Sequence, residues 1–283
     1  MVAFLGMGLL GSNFTKAMLG RGLKVSVWNR TAAKALALEP FGAQIYEDIA
    51  EAVKAADTIH LTLKDDEAVN EVLARAKPGL KPGAIIIDHT TTSVNGAIER
   101  TTYWKNEGFT YLHAPVFMGP ANALEGSGAM LVSGDQDVIA GVMQEISAMT
   151  GKVINFGNET GRAAGIKLIG NLFLVAMTGG IADMLALAQS TNVPISDISA
   201  LFDAWNPGVS APARLKKMTS NTFDQPSWEL NMARKDARLM MEATEARGIN
   251  LTVVPAMAAL MDSWIARGFG NYDWTVVGKD FVD

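Results

Sequence analysis

Six residues near the N-terminus, Gly6-Met7-Gly8-Leu9-Leu10-Gly11, constrain this chain more than any other stretch. They follow the short apolar run Val2–Leu5 and open a helical pattern over Ser12–Arg21 that Gly22 closes. A G-x-G-x-x-G run carries weight only in that context, a strand before it and a helix after it. Gly6 permits the tight turn, Gly8 lets a pyrophosphate approach the backbone, and Gly11 lets helix and strand pack closely. The helix N-terminus then presents unpaired N–H groups to phosphates. Together with the intervening Met7, Leu9 and Leu10, the run is a candidate dinucleotide cradle.

The rest of the chain falls into two halves. Up to about residue 157, β-rich runs at Lys24–Trp28, Thr58–Leu63, Ala84–Asp88, Tyr111–Val116, Ala129–Ser133 and Val153–Phe156 are interspersed with helical patterns such as Thr31–Glu39 and Asp65–Ala76. Asp65–Ala76 has an acidic first turn, which suits a helix N-terminus. This alternation implies a parallel sheet with helices on both faces. From about Glu159 the β signal stops. Thr160–Gln189 reads as one helix about 45 Å long. Ile195–Ala204, Val209–Met218, Glu229–Arg247 and Val253–Arg267 follow, with Gly248 and Gly268 as helix stops. The expected fold is α/β: a doubly wound Rossmann domain over 1–158, then an all-α domain over 159–283, joined by one long interdomain helix. The 283 residues suffice for two domains.

Composition narrows the function. Hydrophobic residues make up 49% and charged residues 19%, the balance of a folded globular chain. There is no cysteine, which excludes disulfides, thiolate metal sites and cysteine nucleophiles. A net charge of -5 argues against nucleic acid as the main partner. The apolar N-terminus has no preceding basic residue, so it does not read as a secretory signal. Ile166–Ala188 is interrupted by Lys167, Asn171 and Asp183, which argues against a membrane span. A cytoplasmic location is the expectation.

Two further stretches carry chemistry. The second strand ends at Trp28-Asn29-Arg30-Thr31, with Lys34 one turn later. NAD sites place a carboxylate here for the ribose 2′-hydroxyl. Asn29 removes that charge, and Arg30 supplies a planar fork suited to a 2′-phosphate, so NADP(H) is the expected cofactor. Lys167 and Asn171 are four residues apart on the long helix and share a face among apolar neighbours. A lysine desolvated there acquires a lowered pKa, useful for proton transfer.

With these motifs in order, the chain resembles the β-hydroxyacid dehydrogenase family, which includes 3-hydroxyisobutyrate dehydrogenases and glyoxylate/succinic semialdehyde reductases. The resemblance implies that Lys167 is the general acid/base, with Asn171 orienting it in the K-x-x-x-N pattern. It places Leu63 and Lys64 in a loop over the cofactor, where the family has Leu-Pro. It matches Asp88-His89-Thr90-Thr91 to the family's Asp-x-Ser-Thr, giving Thr91 contacts to cofactor and substrate. It matches Lys235-Asp236 to a pair in the C-terminal domain that closes over the nicotinamide and substrate. Trp228 lies where related reductases have Phe. Asp273-Trp274-Thr275 resembles the family's end, so the chain is expected to reach it.

The substrate loop departs from that pattern. The family carries Ala-Pro-Val-Ser-Gly, whose serine and glycine amides hold a substrate carboxylate. This chain reads Ala114-Pro115-Val116-Phe117-Met118-Gly119-Pro120. Backbone amides around Val116–Ala121, with Val116, Phe117, Met118 and Gly119 as the substrate-binding residues, are expected to hold the carboxylate instead. The implied activity is NADP(H)-dependent interconversion of a small hydroxyacid and its semialdehyde or keto acid, in a homodimer or homotetramer. Two rivals are an imine reductase, which Phe117-Met118 favours and Lys167 disfavours, and a non-catalytic NADPH-binding module. No metal is expected. Asp65-Asp66-Glu67 reads as an acidic helix start, His60 as a core residue, and His89 as a lesser acid/base candidate.

Overall fold

The computed structural model describes residues 1–282. Its N-terminal strands are β1 (Val2–Leu5), β2 (Val25–Trp28), β3 (Gln44–Ile45), β4 (Thr58–Leu61), β5 (Ile85–Asp88) and β6 (Thr110–His113). They form one sheet in the order β3-β2-β1-β4-β5-β6, every pair parallel. β1, β2 and β4 are buried along their whole length, as a sheet covered on both faces requires. The chain runs one way from β1 to β3 and the other way from β4 to β6. The carboxyl ends of β1 and β4 are therefore the switch point where such sheets bind ligands.

The helices over this sheet are α1 (Leu9–Gly20), α2 (Ala32–Leu36), α3 (Ile49–Val53), α4 (Asp66–Ala76), α5 (Val94–Asn106), α6 (Pro120–Glu125) and α7 (Gln136–Ser147). Two apolar layers result. One, around Phe4, Phe14, Met18 and Met130, lies on one face; the other, around Leu5, Ile59, Leu73 and Trp104, lies on the opposite face. Side-chain oxygens of Asp48, Asp65, Ser93 and Asp135 accept N–H bonds at the starts of α3, α4, α5 and α7.

Three expectations for the N-terminal half need correction. Tyr111–Val116 is not one strand: it breaks after His113, and β7 (Val116–Phe117) leaves the main sheet. Pro115, which has no N–H for a ladder, sits at the break. β7 pairs antiparallel with β8 (Ala129–Val132), which pairs parallel with β9 (Lys152–Asn155), so a second, three-stranded sheet exists. The helix expected over Thr31–Glu39 ends at Leu36, and a 3-10 turn over Glu39–Phe41 follows, with Pro40 inside it.

The chain divides into two compact units, Met1–Asn171 and Leu172–Asp283. The division falls inside α8 (Arg162–Thr191), a helix of 30 residues. By length and composition alone α8 could cross a membrane. Its Asp183, however, is engaged in the second unit. Both carboxylate oxygens accept N–H bonds from Thr252, Val253 and Val254, at 2.7 to 3.0 Å. Burial pushes the Asp183 pKa up, but those N–H donors outweigh it and hold the carboxyl below its usual range.

The second unit adds α9 (Ile195–Ala204), α10 (Ala211–Thr219), α11 (Leu230–Glu245) and α12 (Val253–Trp264). Val209–Met218 begins as a 3-10 turn over Pro207–Ser210 rather than as α-helix. Gly248 and Gly268, at φ 70° and 91°, stop their helices as expected. Phe223, Leu230, Met261, Trp264 and Val276 form its core. A 3-10 segment at Trp274–Phe281 closes the described chain.

Candidate active site

The glycine run lies at the switch point. Gly6 has φ 97°, and a Cβ there would collide with the Thr62 carbonyl, so only glycine makes the turn. A Cβ at Gly11 would strike the Gly6 carbonyl oxygen. Gly8 differs: nothing lies within 4 Å of a Cβ built there. Two glycines thus allow chain to touch chain, and the third leaves space, which is the cradle a pyrophosphate would fill. Gly8 is the N-cap of α1, without a side-chain cap bond or an acidic residue in the first turn. That end is favourable for an anion.

Beside it is an open cleft of about 330 Å³. Its lining includes Gly6, Gly8, Asn29, Arg30, Thr31, Lys34, Leu63 and Lys64. Sequence reading had not singled out Trp28, Thr62, Ala68, Glu71 and Val72, which also line it. Asn29 does more than replace a carboxylate. Its Oδ1 accepts the Met7 N–H at 2.8 Å, and its Nδ2 donates to the Thr31 carbonyl at 2.9 Å. It ties the glycine turn to the end of β2. The guanidinium of Arg30, the hydroxyl of Thr31 and the ammonium of Lys34 have no hydrogen-bond partner among the described residues, and all three residues are exposed. Met7 and Leu10 point into the core instead, and Leu9 is exposed.

A second constellation surrounds Lys167, which is only 8% exposed. Its Nζ donates to Asn171 Oδ1 at 3.0 Å and sits 4.1 Å from the centre of the Phe117 ring. Burial lowers its pKa from the ordinary lysine value. No carboxylate pairs with it among the described residues. Gly161, at φ 88°, lets the start of α8 pack on Ile98 and Val94 of α5.

The loop after β5 connects the two regions. The Thr90 hydroxyl accepts the Leu63 N–H at 2.9 Å, and Asp88 Oδ1 accepts the Thr90 N–H at 2.8 Å. Thr91, the residue matched to the family's threonine, is exposed, while Thr90 is buried. Behind the loop runs a buried polar chain that sequence reading missed. The Tyr111 hydroxyl donates to Asp88 Oδ2 at 2.6 Å, and Arg100 Nε donates to that hydroxyl at 2.9 Å. Arg100 Nη2 lies 2.8 Å from Asp66, whose other oxygen accepts the Ser93 N–H at 2.9 Å. Burial and the Asp88 charge hold the Tyr111 pKa well above its usual value. Asp66 thereby joins the start of α4 to the start of α5, and Arg100 joins Asp66 to Tyr111 of β6. The acidic triplet has this structural use: Asp65 caps α4 and Asp66 pairs with Arg100.

The histidines belong to the core. His60 Nδ1 is 2.9 Å from His89 Nε2, and His60 Nε2 is 2.9 Å from Glu145 Oε1. His89 Nδ1 faces the Ala114 carbonyl at 2.9 Å and must donate to it. A neutral His89 then accepts from His60. Burial, with His60 alongside, pushes the His89 pKa down to about 3. His89 is engaged at both ring nitrogens, by His60 and the Ala114 carbonyl, and so ties β4 to the segments that follow β5 and β6.

In the second unit Lys235 Nζ and Asp236 Oδ1 pair at 3.0 Å, both partly exposed. Trp228 packs edge-on against Trp274 at 5.1 Å.

Comparison with known proteins extends this picture. Residues 1–157 match the family model of the NAD binding domain of 6-phosphogluconate dehydrogenase. Residues 159–282 match that of the NADPH-dependent reductive aminase-like C-terminal domain. The cytokine-like nuclear factor N-PAC of Homo sapiens is 29% identical over 251 residues, 87% of this chain. The chain spans 45% of that relative, less than half its length. An uncharacterized oxidoreductase, YfjR, of Bacillus subtilis is 24% identical over 98% of both chains. Among solved structures, an imine reductase from Myxococcus stipitatus in complex with NADP+ superposes with a TM-score of 0.92 at 22% identity, covering 98% of each chain. A reductive aminase from Aspergillus terreus in complex with NADPH4, cyclohexanone and allyl amine gives 0.89 at 22% identity, over 99% of this chain and 98% of that one. At such identity the structures establish the shared fold.

Proposed function

We propose, for a chain that belongs to the β-hydroxyacid dehydrogenase-like family of NAD(P)-dependent oxidoreductases, that it reduces a C=O or C=N bond of a small molecule with NADP(H), and that Lys167 handles the proton. The observation that carries this reading is the Lys167 ammonium itself. It is buried, has a lowered pKa and is held by one side-chain hydrogen bond, to Asn171. A lysine in that state gives up its proton more readily than one in water.

Gly8 and the unpaired N–H groups at the start of α1 would hold the pyrophosphate, and Arg30, Thr31 and Lys34 would hold a 2′-phosphate. When bound, NADPH supplies the hydride. Lys167 donates its Nζ proton to the carbonyl oxygen or imine nitrogen and takes it back in the oxidation direction. Asn171 Oδ1 fixes the direction of the remaining N–H bonds. The Thr90–Leu63 bond holds the loop between the two regions. Thr91, Lys235, Asp236 and Trp228 keep the substrate- or cofactor-side roles implied by the family pattern.

Two substrate readings follow. A small hydroxyacid and its semialdehyde or keto acid is what the Lys167–Asn171 pair supports. An imine is what Phe117, in place of the family's serine, supports. The likeness of the C-terminal region to a reductive aminase-like domain adds to the second reading. The test is NADPH oxidation against glyoxylate, succinic semialdehyde, methylmalonate semialdehyde, tartronate semialdehyde and a cyclic imine, with NADH in parallel. Turnover of one class with NADPH preferred is expected. Tight NADPH binding with no turnover of any of them would instead favour a binding module.

We further place the protein in the cytoplasm, as a homodimer or homotetramer. Support for the assembly comes from the apolar side chains that α8 leaves exposed, including Leu172, Phe173 and Val175. Sedimentation equilibrium tests the assembly; a monomer at micromolar concentration would contradict it.

A further inference from the structure

We infer that Phe117 and Gly170 form a specificity-determining pair that closes the anion-holding position beside Lys167 and sets this site for an uncharged substrate. The inference rests on the proton-transfer reading of Lys167 given above.

The ring is fixed from two sides. Phe117 lies in β7, where it pairs with Ala129 while Val116 pairs with Met130. Its ring meets α8 at Gly170, one turn beyond Lys167, and a Cβ there would overlap Phe117 Cζ. Gly170 has an ordinary helical conformation, so a bare Cα is not needed for the backbone. It is needed for the ring. The aromatic residue and the glycine are therefore complementary, and only their combination puts an aromatic face on the ammonium at 4.1 Å. A cation over such a face is attracted by the ring quadrupole without any counter-anion.

Carboxylate binding needs N–H or O–H donors aimed at one place. Two of the expected donors in this loop are lost. Phe117 has no hydroxyl. The Gly119 N–H already donates to Asn122 Oδ1 at 2.8 Å. Met118 packs its side chain over Gly128. The expectation that amides around Val116–Ala121 hold a substrate carboxylate is therefore corrected for Gly119. What stays next to Lys167 is an apolar wall. A substrate carboxylate entering it would lose water against the ring face, while the ammonium beside it must face the reacting atom.

The test is a calorimetric titration of the NADPH-loaded protein with butyrate and with butyramide, isosteric ligands that differ in charge. The wild type is expected to bind the amide more tightly. Phe117→Ser is expected to move the ratio toward the acid by about tenfold or more. Gly170→Ala, which pushes the ring off Lys167, should move it the same way and serves if Phe117→Ser does not fold. A wild type that prefers butyrate or shows no preference overturns the inference, as does an unchanged ratio in the folded variant. Turnover plays no part in this titration, so failure of the pair is distinguishable from failure of the proton-transfer reading, which Lys167→Ala tests by rate.

Discussion

The cofactor cleft and the Lys167 site lie in the same unit but are made of different material. The cleft is mostly backbone. Its glycine turn comes from six consecutive residues, and its shape depends on the absence of side chains at Gly6, Gly8 and Gly11. The Lys167 site is side chain against side chain, from β7 and α8, about 50 residues apart in sequence. Backbone cradles read phosphate, which every dinucleotide carries, so they tolerate little change. Side-chain walls read the variable end of a substrate and can be rebuilt one residue at a time. The difference explains why the glycine run keeps its family's pattern while the β7 wall beside Lys167 departs from it.

Substitutions can break the comparison if it is wrong. The largest effect is expected at Gly8→Val. The position has space and an ordinary backbone conformation, so stability should change by less than ~0.5 kcal/mol. NADPH affinity, measured by fluorescence titration, should fall by about 100-fold, because the side chain takes the pyrophosphate's room. An unaltered Kd would remove the cradle from the account. Gly11→Ala should do the reverse, costing about 1–3 kcal/mol in denaturant unfolding through its clash with Gly6. If Gly11→Ala is as stable as wild type, the close packing of α1 on β1 is wrong.

Arg30→Ala should weaken NADPH by about tenfold and leave NADH nearly unchanged, since one charge-assisted bond to the 2′-phosphate is lost. Equal losses for both cofactors would mean that Arg30 contributes only general charge. The smallest effect concerns pH. Reduction needs protonated Lys167, and burial has lowered its pKa, so the rate should fall on the alkaline side with a midpoint below the ordinary lysine value. NADPH affinity should not follow that limb. A rate that stays flat beyond the ordinary lysine pKa would separate Lys167 from the proton.

The same contrast decided what the sequence made legible. The Rossmann sheet and its glycine run could be read because strand, turn and helix are neighbours in the chain. Ile195–Ala204 and the stops at Gly248 and Gly268 were legible for the same reason. The short, capped α3 and the second sheet were not, since β7 is two residues long and its pairing with β8 is set by tertiary packing. Asn29 could be located but not its bond to the Met7 amide. Lys167 and Asn171 could be paired by helical spacing, yet nothing in their neighbourhood announced the ring of Phe117. The Arg100–Tyr111–Asp88 chain draws on three separate elements and has no spacing signal at all.

The most direct test of the central claim is a comparison of wild type and Lys167→Ala on whichever substrate the NADPH-oxidation panel identifies, with NADPH affinity measured on both. The account predicts a kcat lower by about 10²–10⁴-fold with the NADPH Kd nearly unchanged. A variant that turns over within a few-fold of wild type would contradict it.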